Sequence, residues 1–165
     1  MGWSGIWLVA LRPSETAEEA ISRGTDAWIE PDADGLTIVP NPDAKATDPS
    51  AATDRWIDHI VGLLRRENPR FEIVEEHHDG ERRRSVVLDD PDGPVSATVY
   101  GSEVQLLPRR GWDDPAGQPG AGFQAMWRYC QLLAGEGCVA HDPDEDELID
   151  LSLSEDEAAA VYLWF

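Results

Sequence analysis

A chain of 165 residues with 41% hydrophobic residues and seven tryptophans has the length of one domain. Its apolar area offsets the entropy of ordering the chain, which excludes wholesale disorder and a second independent core. The formal charge of −20, from 33 acidic and 13 basic residues, excludes affinity for a phosphate backbone, because such affinity comes from Lys and Arg displacing counterions.

The opening "GIWLVALR" reads as a strand. Its apolar run has no basic segment before it and no small-residue cleavage site after it, so a secretory signal is not expected. No stretch approaches the roughly 20 apolar residues of a membrane span, and the expected location is cytoplasmic. The segment after it places Ala17, Ala20, Ile21 and Trp28 on one face of a helix over 15–30. Ser14 is the expected N-cap, with Glu15, Glu18 and Glu19 at the positive helix end. "GLTIVPN" is a short strand and "PDAKATDPS" a polar loop. Asp48 and Pro49 then supply a cap and a first-turn proline for a helix over 49–66, whose Trp56, Ile57, Ile60, Val61 and Leu64 repeat at helical spacing. Asn68-Pro69 ends it.

In "FEIVEEHHDGERRRSVVL" the dipeptide Asp79-Gly80 predicts a two-residue hairpin turn. That turn would set Glu76 opposite Arg83, Glu75 opposite Arg84, Ile73 opposite Val86 and Phe71 opposite Leu88, with Phe71, Ile73, Val86 and Leu88 facing inward. A salt-bridged strand surface then accounts for the arginine run 82–84 better than nucleic-acid binding does. Gly101-Ser102 predicts a second hairpin, pairing Val99 with Val104 and Ala97 with Leu106. "GWDDPAGQPGAG" is a loop long enough to be functional. Beyond it Phe123, Met126, Trp127, Cys130 and Ala134 repeat along a helix over 121–134 that stops at Gly135 and Gly137. "CVAHD" and "LIDLSL" are short strands around an acidic turn. Ser154 and Glu157 have capping-box spacing ahead of a helix over 155–165, on which Ala158, Val161, Tyr162 and Phe165 share a face. The expected architecture is a single α+β domain over 1–165. It has two layers, with a mainly antiparallel sheet, a central hairpin meander (71–108) and about four packing helices.

No catalytic signature occurs. Nine carboxylates lie between Asp142 and Glu157 without a Lys or Arg among them. Asp142, Asp144 and Asp146 match the first alternating positions of a calcium loop, but Glu147 stands where its glycine belongs and Leu153 where its bidentate Glu belongs. Glu155 to Glu157 are explained by the helix start, which leaves the run from Asp142 to Glu147 and Asp150. His77 and His78 are adjacent in a strand and point to opposite faces, so they cannot chelate together; no metal or cofactor is expected. Cys130 and Cys138, the two cysteines, read as buried free thiols. Every basic residue lies at or before Arg128, whereas residues 129–165 carry ten carboxylates and no cation. Such a one-sided field steers a basic partner.

The segment "CVAHDPDEDELIDLS" resembles the "xVxYDPxxxxxVDL" ending of small acidic bacterial proteins of uncharacterised and immunity-protein-like families, including neutralisers of polymorphic toxins. With the helix end "LLAGEG" that precedes it, the match covers about twenty residues, with His141 standing where an aromatic is usual. The resemblance implies a compact α/β cytoplasmic protein that binds a partner and has no catalysis of its own. The expected function is therefore a non-catalytic acidic module that masks a basic protein, such as a toxin or nuclease domain. Asp142, Asp144, Glu145, Asp146 and Asp150 would steer the partner and Trp112 would anchor it. A second reading is a small enzyme or ligand-binding protein with a pocket between sheet and helices, using His77 or His141 as acid–base group. A third treats the acidity as solubility or halophilic adaptation alone.

Overall fold

The opening apolar run forms β1 (Ile6–Ala10), and in the computed structural model it becomes an interior strand of a seven-stranded antiparallel sheet ordered β2-β3-β4-β5-β1-β6-β7. The structure describes residues 5–10, 16–20, 49–79, 83–100, 103–109, 111, 115–142 and 147–162. The expected strand in "GLTIVPN", and Trp28, lie outside these residues. The meander is as expected, with β2 (Glu72–Asp79), β3 (Arg83–Asp89), β4 (Val95–Tyr100) and β5 (Glu103–Pro108) in sequence. The chain then forms β6 (Cys138–Asp142), which pairs with β1, and β7 (Glu147–Ile149) on the outside. No helix among the described residues is long and apolar enough to cross a membrane.

Residues 17–20 are helical (α1). Their cap is Thr16 rather than Ser14: the Thr16 hydroxyl accepts the Glu19 N–H at 3.1 Å, so the helix begins two residues later than the sequence suggests. α2 (Pro49–Glu67) opens on the expected proline and buries Ile57, Ile60 and Leu64 completely. α3 (Ala121–Ala134) has the expected limits and buries Phe123, Met126, Trp127 and Cys130. Its first turn is tied to the preceding loop: Gly111, at φ +67°, offers its carbonyl to the Gly122 N–H at 2.7 Å. This satisfies one of the amide groups a helix start leaves open. α4 (Glu155–Tyr162) buries Ala158, Ala159 and Tyr162. Val161 is half exposed instead of sharing that face, and Phe165 lies outside the described residues.

α2 lies over β3 and β4, α3 over β4, β5 and β6, and α4 on α3. The core is the face of the sheet beneath them, where Ile6, Leu8, Val86, Leu88, Ala97, Val99, Val104 and Leu106 are all fully buried. The β4–β5 register is the one a two-residue turn requires, with Val99 opposite Val104 and Ala97 opposite Leu106.

The β2–β3 register is not. Asp79 pairs with Arg83, so three residues separate the paired positions, and Glu76 faces Val86 while Glu75 faces Val87. A bulge between Ile73 and Glu75 then brings Ile73 opposite Leu88. β3 is fixed by its pairing with β4, which turns Val86 and Leu88 into the core. β2 has that constraint on one side only, and an edge strand weakly held by burial can slide. Phe71 is buried as expected, whereas Ile73, on the edge strand, remains 42% exposed; α2 packs chiefly over β3 and β4. Arg84 still meets carboxylates: its side chain reaches Glu76 on β2 and Asp58 on α2, each at 2.6 Å. The expected ion-paired surface exists with altered partners.

Candidate functional site

The acidic segment is built on the β7 edge of the sheet. Ala140, His141 and Asp142 pair with Ile149, Leu148 and Glu147, which leaves Glu147 and Leu148 exposed on the outermost strand. Asp150 follows in a tight turn. One of its oxygens accepts the Ser152 hydroxyl at 2.5 Å and the Ser152 N–H at 3.0 Å. These bonds, the hydroxyl's first, hold the Asp150 carboxyl below its ordinary pKa, so the exposed group stays ionised.

Next comes the α4 start. The Ser154 hydroxyl accepts the Glu157 N–H at 3.2 Å, and the Glu157 carboxylate accepts the Ser154 N–H at 3.1 Å. This is the reciprocal capping box expected from the sequence. Ser154→Ala should lower stability by about 1 kcal/mol; an unchanged urea midpoint would refute the cap. The turn is also pinned from behind. The Leu153 carbonyl accepts the Trp127 indole N–H at 3.2 Å and the Gln131 amide at 2.9 Å, and the Tyr162 hydroxyl accepts the Asp150 N–H at 3.0 Å. Glu147, Asp150, Glu155 and Asp156 thus stand exposed on a supported frame.

The described arginine side chains are elsewhere: on α2 and just after it, on β3, just after β5 and on α3. Four of them face carboxylates. Arg70 lies 3.3 Å from buried Asp90, Arg84 bridges Asp58 and Glu76, Arg109 pairs with Asp89, and Arg128 lies 3.9 Å from Glu67. Among the described residues no cation lies on β1, β6, β7 or α4.

Of the residues expected to meet a partner, Asp150 is exposed on this edge, whereas Asp142 is only 2% exposed at the end of β6. Asp142 therefore contributes to the field and not to contact. Asp144, Glu145, Asp146 and Trp112 lie outside the described residues.

Sequence reasoning passed over Glu103. It is fully buried and His141 is 7% exposed, both on the sheet face opposite α2 and α3, where Glu103 is level with Val9 and His141 with Trp7. The alternation in "EVQLL" places Glu103 with Gln105 and away from Val104 and Leu106, which reads as a solvent face; only the fold shows otherwise. With β1 between them and a two-residue offset, their Cα atoms are about 12 Å apart from strand spacing alone. His77 side-chain geometry lies outside the described residues.

Comparison with protein-family models, with curated proteins and with solved structures finds no match.

Proposed function

We propose that this protein is a non-catalytic binding module that presents its β7–α4 edge to a basic protein and masks it, in the manner of an immunity-type or regulatory protein acting on a toxin or nuclease domain. The observation that carries this reading is the segregation of charge: Glu147, Asp150, Glu155 and Asp156 are exposed together on elements that hold no cation. The described arginines lie on other elements, and Arg84 of β3 and Arg128 of α3 face carboxylates of their own. A field of one sign over a contiguous edge raises the encounter rate with an oppositely charged surface and orients it. Asp142, Asp144, Glu145, Asp146 and Asp150 supply the steering charge in this reading, and Trp112 the apolar anchor at the centre of the contact.

The test is the rate of association with a panel of basic nuclease and toxin domains. For the cognate member the rate should fall roughly tenfold or more as salt rises from about 50 to about 500 mM, since exposed charges are screened over a Debye length that shrinks to a few ångströms. Replacing Asp144, Glu145, Asp146 and Asp150 by their amides should reproduce most of that loss at low salt. A flat salt dependence for a tight-binding member of the panel would end the proposal.

A further inference from the structure

We propose that the groove between α2 and the edge strand β2 is a second docking site, which takes a short linear segment of a partner protein carrying aliphatic anchors flanked by carboxylates. This goes beyond the basic-partner reading, because β2 and β7 are opposite edges of the sheet.

The groove is a trough of about 520 Å³ lined by Asp58, Val61, Gly62, Arg65, Arg66 and Pro69 against Ile73. The first six recur at helical spacing, three or four residues apart with Val61–Gly62 and Arg65–Arg66 as neighbouring pairs, and so form one stripe along α2 into the residues just after it. At 1.5 Å per residue that stripe runs about 16 Å, the length of some five extended residues. The trough is open to solvent and not an enclosed cavity, which suits a chain segment better than a compact small molecule.

Its apolar wall is accessible. Ile73, the β2 residue that lines the trough, is 42% exposed on a strand that pairs with β3 alone among the described strands. Gly62 deepens the trough. A glycine in a helix interior is unfavourable, yet here a Cβ would find only the Arg66 guanidinium at 3.6 Å, an ordinary contact. Packing does not demand the glycine; an occupant would.

Charge selects the occupant. Asp58 is matched by Arg84, which also takes Glu76. Arg65 and Arg66 are exposed and form no ion pair among the described residues. The net sign of the trough is therefore positive on a protein whose overall charge is −20, and arginine forks favour carboxylates.

Selection from a random linear peptide library displayed on phage, with the full chain immobilised, tests this. Enriched peptides should carry two or more Asp or Glu residues around aliphatic anchors, and binding should perturb the amide signals of residues 58–66, Ile73 and Val74. The double variant Arg65→Gln/Arg66→Gln should weaken the enriched peptides at least tenfold. Gly62→Leu, which fills the trough from a position open to a side chain, should abolish binding while the melting temperature holds or rises. The proposal is overturned by no enrichment, by enriched peptides that are basic or indifferent to both variants, or by signals that move at β7 instead. Concentration-dependent self-association lost in the double variant would assign the trough to a second copy of this chain and equally overturn it.

Discussion

Trp127→Ala should lower the unfolding free energy by about 3 to 5 kcal/mol, the usual cost of truncating a buried tryptophan. Its indole is 1% exposed and stacks on Phe123 with ring centres 6.4 Å apart and planes 4° from parallel. On its other side it packs against Tyr162 of α4 at 6.1 Å. Against a total of about 5 to 15 kcal/mol for a domain, this is a large fraction of the whole. The change also removes the N–H that the Leu153 carbonyl accepts, at the head of the α4 capping box. Amide exchange should therefore accelerate in α4 and in the Asp150 turn before it does in β3 and β4. Trp127→Phe keeps an aromatic on Phe123 but loses the hydrogen bond and some volume, and should cost roughly 1 to 2 kcal/mol. Urea denaturation of the three proteins checks the order; a Trp127→Ala midpoint equal to that of the parent would show that the indole does not join α3 to α4.

The second large effect is alkaline. Cys130 and Cys138 are free and buried. Burial drives the Cys130 thiol well above its ordinary value, and burial, followed by the nearby Glu136 charge, pushes Cys138 up to about 12. In the unfolded chain both ionise near 9. Below that value neither state loses a proton and the stability is fully present. Above it the unfolded chain sheds protons that the folded protein keeps, so stability falls with each unit of pH until the folded thiols ionise.

Each thiol contributes about 1.4 kcal/mol per pH unit in that window. The pair should therefore remove about 4 kcal/mol between pH 8 and 10.5. The Tyr129 phenol, raised chiefly by burial, adds to the loss above its ordinary value of 10. Urea midpoints at pH 8 and 10.5 read this out, and the slope should flatten in Cys130→Ala/Cys138→Ala even though that variant begins less stable. An equal slope in both proteins would mean the thiols are not the titrating groups. At pH 8 the same burial should leave both thiols inert to alkylation until the protein unfolds.

Both predictions concern the frame that holds the acidic edge of the proposed binding module. Trp127, Gln131 and Tyr162 hold the Asp150 turn and the α4 start in place, and Cys138 opens the strand that carries β7. An edge fixed in this way presents its carboxylates with little ordering left for association to impose, and preorganisation of that kind improves affinity without adding contacts.

The amino-acid sequence by itself determined the features whose energies are local. α3 runs over 121–134 because apolar residues recur at helical spacing until the glycines at 135 and 137, and α2 opens at Pro49 because its fixed φ suits a first turn. The Ser154–Glu157 box closes within four residues, and the β4–β5 register follows from a two-residue turn. The separation of acid from base along the chain is equally visible in the sequence.

Tertiary structure decided whatever depends on which surface lies opposite. β1 is placed between β5 and β6, residues far from it in sequence, and no local term specifies that partner. The β2–β3 register departs from the turn expected at Asp79-Gly80 because β3 answers to β4 and the core while the edge strand adapts through a bulge. Ile73 stays 42% exposed on the edge strand although its pattern turns it inward, and Glu103, His141 and Asp142 are buried although they are polar. Local patterns fix dihedral angles and faces; burial is set by distant residues, whose choice of contacts is a property of the whole chain.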